Sequence, residues 1–351
     1  MTANRNTDKF RGCLIGGAAG DALGYAVEFL SEKAIEKKYG PDGILGYDLR
    51  DNVARISDDT QMTMFTANGI LLSTHQPELL CTQAIAIAYR EWYKTQFSRY
   101  SPDTRFNRCW LMDVPELYSP RAPGNTCLSA IEDGCCGTID SPPNNSKGCG
   151  GVMRVAPLGL FFEDTREAAL LAAEVAALTH GHEMGYIPAA LLATIVNMAV
   201  YSTGKTLKEI VLESLDLMDA LFPNAETLPA FRRQIELAVS LAETEPNNLV
   251  AIHKLGPGWC GDDAIAVAIC CALKYQNDFD MAMIASVNHG GDSDSTGAIT
   301  GNILGAWLGL AGIPEKYLAG LELKDVLLDL ADDLCAGEGL EETRKARYRF
   351  A

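Results

Sequence analysis

The sequence predicts an all-α protein, folded as a single domain across residues 1–351. Three observations predict it. Apolar residues recur with helical period over long stretches. Alternating, β-branched runs of the kind strands need are scarce. The loop-forming segments are short, with no linker and no repeat at a solenoid period. Taken in chain order, residues 165–179 (TREAALLAAEVAALT) are rich in Ala and Leu and read as a buried helix, as do 187–201. From Leu228, apolar residues fall at Phe231, Ile235, Ala238 and Leu241 with Arg232, Arg233 and Glu236 between them, one greasy face of a helix. Residues 262–275 and 278–287 read as further helices. Gly297 to Ile313 is apolar and glycine-rich, but it is shorter than a membrane span, contains Asn302 and stops at Pro314. It reads as a buried core helix with close helix contacts. Turn chemistry marks loops at 119–125, 141–151, 244–248 and 255–259.

Length and apolar content allow a sizeable core. The formal net charge is −17, which argues against a nucleic-acid partner, since phosphodiester binding needs an excess of Lys and Arg. Any anionic ligand must then be held by helix N-termini, backbone amides or bound cations. The 11 cysteines form no CxxC pair and no zinc pattern. Cys270 and Cys271 lie in an apolar stretch. Reduced thiols in a cytoplasmic protein are expected. The N-terminal apolar run is broken by Asp21 and several glycines, unlike a signal peptide. No basic patch, heptad or amphipathic membrane helix points to a partner, and a monomer is expected.

Two acidic runs carry the chemistry. The first is Arg55-Ile56-Ser57-Asp58-Asp59-Thr60-Gln61, and the second is His289-Gly290-Gly291-Asp292-Ser293-Asp294-Ser295-Thr296-Gly297. Each looks like a helix start. Asp58 is a candidate N-cap with Gln61 completing a capping box, and Asp294 or Ser295 is a candidate N-cap for the second. For either run alone, capping explains the residues. Two runs ask for more, because capping needs one acid at most and crowded acids repel unless a cation offsets them. If the helix starts converge, carboxylates and hydroxyls surround one pocket. Hard oxygen ligands without His or Cys suit Mg²⁺ or Mn²⁺, not zinc.

SDDTQM (57–62) and HGGDSDSTG (289–297) resemble the two metal-binding signatures of the ADP-ribosylglycohydrolase family. FRGCLIGGAAGDALGYAVEF (10–29) resembles its opening helix, and SKGCGGVMRVAPLGLFF (146–162) its glycine-rich ligand loop. The four occur in the family's order from about residue 10 to 312.

The resemblance implies a compact orthogonal helical bundle with two Mg²⁺ ions, or Mn²⁺, at the base of a cleft. Ser57, Asp58, Asp59 and Asp294 would hold one ion, and Asp292, Asp294 and Ser295 the other. The ions would orient the ribose distal to adenine. Asp58, Asp59 and Asp294 would thereby be catalytic, and Glu28 matches an acidic position bordering the metals, where it would position water or accept a proton. Without the resemblance, Glu28 reads as a first-helix surface acid. Asp21 reads as structural. The loop Gly148, Cys149, Gly150, Gly151, Val152, Met153 would cradle ADP-ribose, with glycines letting backbone amides approach a diphosphate. Many family members have Asn where this chain has Cys149. His180 matches a family histidine near the nucleotide. Arg154 reads either as a phosphate contact or as a structural salt bridge. His182 reads as a capping residue, His289 as orienting the second acidic run, and Trp259 as a core residue or a cleft wall.

Serine at 57 and 295 and Cys149 resemble the arginine-specific branch, which implies hydrolysis of the N-glycosidic bond between ADP-ribose and arginine on a modified protein. Three alternatives stand beside it. They are hydrolysis of serine-linked or other ADP-ribose compounds, an immunity protein that blocks or reverses an ADP-ribosyltransferase toxin, and a non-enzymatic relative like the family's lens crystallins.

Overall fold

The computed structural model describes residues 5–102 and 107–349, so the ends of the expected 1–351 domain lie outside them. Among the described residues it is an all-α bundle with no strand, only three isolated bridges. The helices are α1 (Thr7–Tyr25), α2 (Glu32–Tyr39), α3 (Asp58–His75), α4 (Cys81–Phe97), α5 (Asn125–Glu132), α6 (Ala156–Phe161), α7 (Thr165–Ala177) and α8 (Glu183–Tyr201). They continue with α9 (Leu207–Leu221), α10 (Leu228–Thr244), α11 (Asn248–Leu255), α12 (Gly261–Lys274), α13 (Phe279–Val287), α14 (Ser293–Leu308), α15 (Lys324–Ala336) and α16 (Glu342–Lys345). Buried apolar residues from Phe10 to Tyr348 form one continuous core.

The helices expected at 165–179, 187–201, 262–275 and 278–287 are α7, α8, α12 and α13, shifted at their ends by up to four residues. The greasy face read from Leu228 is α10, with Phe231, Ile235, Ala238 and Leu241 buried. α9 was not foreseen, although Thr206 and Glu209 form a full capping box at its start. Among the described residues one helix, α8, is long and apolar enough to cross a membrane, and the stretch at 297–313 is not. α8 lies almost wholly inside the protein.

The centre of the bundle is the pair α1 and α14. Glycines recur every fourth residue on both: Gly12, Gly16, Gly20 and Gly24 on α1, and Gly297, Gly301 and Gly305 on α14. That spacing puts them on one stripe of each helix. A Cβ at Gly20 would stand 2.0 Å from the Gly297 carbonyl oxygen, and one at Gly16 would stand 2.3 Å from that of Gly301. One at Gly24 would stand 2.1 Å from the Ser293 oxygen. The two backbones therefore touch. They run antiparallel, since Gly12 meets Gly305 at one end and Gly24 meets Ser293 at the other. Asn302 fills the space left by Gly17 and donates from Nδ2 to the Cys13 carbonyl at 2.9 Å. The core helix expected at 297–313 is α14, lying four to five residues earlier, and its glycines bring the end of α1 against the start of α14.

Two expected caps are corrected. The N-cap of α3 is Ser57, whose Oγ accepts from the Asp59 amide at 3.2 Å. Asp58 is the first helical residue, with its carboxylate accepting from the Gly124 amide at 3.2 Å instead. Gln61 closes no capping box. Its Oε1 accepts from Trp92 Nε1 at 3.0 Å, and its Nε2 donates to the Ser119 carbonyl. On α14 the N-cap position is Asp292, whose side chain makes no cap bond, while Asp294 and Ser295 lie in the first turn.

Candidate active site

The start of α3 is held by Asp21, buried in α1. Its carboxylate accepts from the backbone amides of Ser57 at 3.0 Å and Thr60 at 3.1 Å, and from the Thr60 hydroxyl. The start of α14 is held by the glycine seam and by His289, whose Nε2 lies 2.9 Å from Thr296 Oγ1. With both helix starts fixed to α1, the two acidic runs meet. Ser295 Oγ donates to Asp59 Oδ2 at 2.9 Å, across 236 positions of sequence. Glu28, just past the end of α1, joins them. Carboxylate oxygens of Glu28, Asp292 and Asp294 all lie within 4.8 Å of one another. Glu28 is buried, not a surface acid, and its Oε2 has no hydrogen-bond partner.

Such crowding shows in the ionisation of the acids. Burial, and then the neighbouring Asp294, push the carboxyl groups of Asp58, Asp59 and Asp292 well above the usual range. Burial and Asp294 push Asp21 up to about 7, and burial, Asp294 and Asp292 push Glu28 up to about 11. A cluster of hard oxygen donors, crowded against their own repulsion and with one donor unpartnered, fits a bound divalent cation. Two positive helix ends, those of α3 and α14, support the negative charge.

The acids form one end of a cavity of about 190 Å³. The other end is built by loops. Gly148, Cys149, Gly150 and Met153 line it, with His180 behind them. Cys149 Sγ sits 2.8 Å from Asp292 Oδ2, which joins the two ends. The segment Pro257 to Trp259, which brings Trp259 to the wall, is tied at both ends. Asp292 N donates to the Pro257 carbonyl at 2.9 Å, and Cys149 N donates to the Trp259 carbonyl at 3.2 Å. Trp259 is 44% exposed at the mouth, a cleft wall and not a core residue. A larger groove of about 670 Å³, between Glu32, Pro41 and Asn247, has no buried carboxylate and no convergent set of ligands.

Most of the expected site residues come together here: Glu28, Asp58, Asp59, Asp292, Asp294 and Ser295 at one end, and Gly148, Cys149, Gly150, Met153 and His180 at the other. Two stand apart from the cavity wall. Ser57 is buried, its Oγ accepting the cap bond of α3 with one lone pair and keeping the other. Gly151 faces α8, where a Cβ would stand 2.3 Å from the Gly185 carbonyl oxygen. Arg154 matches neither expectation, being fully buried behind the wall and paired with no carboxylate among the described residues. His182 caps α8, its Nδ1 accepting from the Met184 amide at 2.9 Å.

A third segment, Ala122 to Cys127, also lines the cavity, where the sequence shows only a loop at 119–125. Its hold on the site is a backbone one. Asp58 N donates to the Arg121 carbonyl at 3.0 Å, Gly124 N donates to the Asp58 carboxylate, and Ala122 takes a left-handed φ of 56° between them. The one local signal was Pro-Gly-Asn at a helix start.

Comparison with known proteins shows what the whole chain is similar to. Mouse ADP-ribosylhydrolase ARH3 is 24% identical over 93% of this chain and 91% of its own. ADP-ribosylarginine hydrolase Tri1 of Serratia proteamaculans is 23% identical over 94% of this chain and 80% of its own. A solved structure described as an ADP-ribosylglycohydrolase-related protein complex superposes with a TM-score of 0.65 at 25% identity, covering 95% of this chain and 98% of that one. The profile of the ADP-ribosylglycohydrolase family matches residues 1–344, which takes in the glycine seam, both acidic runs and the loop-built wall, and the chain belongs to that family.

Proposed function

We propose that this protein releases ADP-ribose from a modified protein by hydrolysing the N-glycosidic bond to an arginine side chain, as a cytoplasmic monomer. The observation that carries the reading is the meeting of the two acidic runs, joined by the Ser295–Asp59 hydrogen bond. Ser57, Asp58, Asp59 and Asp294 would hold one Mg²⁺, and Asp292, Asp294 and Ser295 the second, with Mn²⁺ as a substitute. When bound, such ions supply charge neutralisation and a Lewis-acidic template for the vicinal hydroxyls of the distal ribose.

The protein's own groups do the rest. Asp58, Asp59 and Asp294 fix the ribose so that one face of its anomeric carbon is open to water. With cations offsetting Asp292 and Asp294, the charges that raise it, Glu28 would be ionised, and its Oε2, buried and without a partner, is the atom placed to take a proton from that water. Guanidine is a strong base, so its departure needs a proton by the time the bond breaks. Gly148, Cys149, Gly150, Met153 and His180 receive the diphosphate. The cavity of about 190 Å³ is smaller than the ~300–1,000 Å³ of sites that enclose a drug-sized ligand. It encloses the distal ribose and diphosphate, and the adenine lies toward the mouth beside Trp259.

Support for arginine as the attachment point comes from the serines at 57 and 295, from Cys149, and from the similarity to an enzyme named ADP-ribosylarginine hydrolase. The test is release of ADP-ribose from an arginine-modified protein and from a serine-modified one, each with Mg²⁺ and with EDTA. Release from arginine alone, abolished by EDTA, is expected. Release from serine alone overturns the bond assignment, and release from neither overturns hydrolysis in favour of a blocking or immunity role.

A further inference from the structure

The cavity wall holds the carboxylates of Glu28, Asp58, Asp59, Asp292 and Asp294, and no lysine or arginine. A diphosphate entering it meets no direct cation from the protein. One stands a single side chain back. The Arg154 guanidinium lies 3.6 Å from Sγ of Cys127, itself a wall residue, and 4.5 Å above the Tyr89 ring. It is fully buried and faces Tyr89, Cys127 and Cys135, with no carboxylate paired to it among the described residues. A buried charge without a counterion is costly to keep, so its placement calls for a use.

That use is visible in a chain of hydrogen bonds. Arg154 Nη2 donates to Thr179 Oγ1 at 2.5 Å, and Thr179 Oγ1 lies 2.8 Å from His180 Nδ1. Thr179 and His180 are both buried. We propose that Arg154 is a positioning residue that acts through Thr179 to hold the His180 proton on Nε2, so that this N–H is the donor the pocket offers to the diphosphate of ADP-ribose. The inference rests on the reading of the pocket as an ADP-ribose site.

The hydroxyl has one proton to give, and two acceptors are in reach. His180 Nδ1 is at 2.8 Å and the Ala176 carbonyl is at 3.5 Å, the far edge of a hydrogen bond. The shorter contact takes the proton. The guanidinium donating into the same oxygen strengthens it as a donor toward Nδ1. With Nδ1 an acceptor, a neutral ring carries its proton on Nε2. Burial, and then the Arg154 charge, hold the His180 pKa down at about 3, so the ring is neutral at any working pH. Nε2 lies along the glycine loop, 3.4 Å from where a Cβ on Gly148 would stand and 3.2 Å from one on Gly150. A neutral donor there can bind phosphate oxygen without pairing to the nearby carboxylates, which a histidinium would do.

The test pairs ¹⁵N NMR of the histidine side chains with calorimetric binding of ADP-ribose, in wild type, Thr179→Val and Thr179→Ser. The expected result is an Nε2–H tautomer at His180 in wild type and in Thr179→Ser. In Thr179→Val the tautomer preference is lost and the ADP-ribose Kd rises about tenfold, the size of one neutral hydrogen bond. An Nδ1–H tautomer in wild type overturns the proposal without any variant having to fold. So does an unchanged Kd in a Thr179→Val protein with wild-type circular dichroism. If wild type shows the Nε2–H tautomer but binds no ADP-ribose, the relay stands and the reading of the pocket falls.

Discussion

The two ends of the cavity are held in place by different means. At the acidic end, side chains project from the first turns of α3 and α14, and both helices are fixed to α1, one by Asp21 and the other by backbone contact along a glycine stripe. At the loop end, residues from three separate segments are tied by a few backbone hydrogen bonds, such as those from Cys149 N to Trp259, from Gly261 N to Lys147 and from Asp292 N to Pro257. Rigid elements suit the first task, because charged oxygens must be kept together against their repulsion. Loops suit the second, because the nucleotide of the proposed substrate would be met by backbone amides and by a wall that can vary without disturbing the core.

If the acidic end carries the chemistry, its loss should have the largest effect. Asp294→Ala or Asp58→Ala is expected to lower hydrolysis by at least about 10³-fold, since ligand, template and ribose orientation go together. The folded structure should persist, and with EDTA present the variants should melt at or above the wild-type temperature, because a carboxyl crowded by its neighbours has been removed. Either variant keeping wild-type turnover breaks the comparison.

The glycine seam should come next. In Gly20→Leu the new side chain has no room, since its Cβ alone would fall 2.0 Å from the Gly297 carbonyl oxygen. A loss of about 3 kcal/mol or more is expected, read by urea unfolding, as α1 and α14 separate. A loss of Mg²⁺ binding should accompany it even where the chain still folds, because Glu28 and Asp292 no longer meet. The same substitution at Gly124, in the loop end, places a Cβ at ordinary contact distance, 3.9 Å from Cys127 Sγ, with a φ of −62°, and should cost far less.

The pH dependence sharpens the contrast. Asp21, Asp58, Asp59, Asp292 and Glu28 all have folded-state pKa values raised above those of an unfolded chain. The folded protein therefore holds more protons than the unfolded one, and without metal its stability must fall as pH rises from about 4, through the Asp21 value of about 7, and beyond. The fall should be on the order of a few kcal/mol. Saturating Mg²⁺ should flatten it by replacing the protons. A metal-free protein whose melting temperature does not change between pH 5 and pH 8 would show that the acids are not crowded as described.

How much of this was legible in the sequence follows the same division. The acidic runs stood out because carboxylates and hydroxyls were packed more densely than capping requires, and the glycine-rich stretch at 297–313 was readable as a close-packed core helix. Their convergence was not readable, because it depends on α1 lying against both helix starts. The caps were misplaced by one residue on α3 and by two or three on α14, since the choice between Ser57 and Asp58 is made by Gly124, a residue 66 positions away. The loop end was the harder one. Ala122 to Cys127 enters the wall through backbone bonds that leave no mark in side-chain chemistry. Arg154 looked like a phosphate ligand or an ion pair because an arginine inside a core without a carboxylate is not what composition suggests.

Trp259 is the case where the loop end can be tested with the acidic end left untouched. Preceded by Gly258 at a φ of 90° and pinned through its carbonyl by Cys149, its ring is held half in solvent at the mouth. A large apolar ring left exposed beside a polar cavity offers a stacking face to a base. Trp259→Ala should weaken the ground state and the transition state equally, raising KM about three- to tenfold with kcat unchanged. The pinning bonds are backbone ones, so the loop and the acids should stay in place and Mg²⁺ affinity should not move. A fall in kcat with KM unchanged would mean instead that the mouth and the acidic end work as one unit, with the tryptophan helping to set the position of the ribose itself.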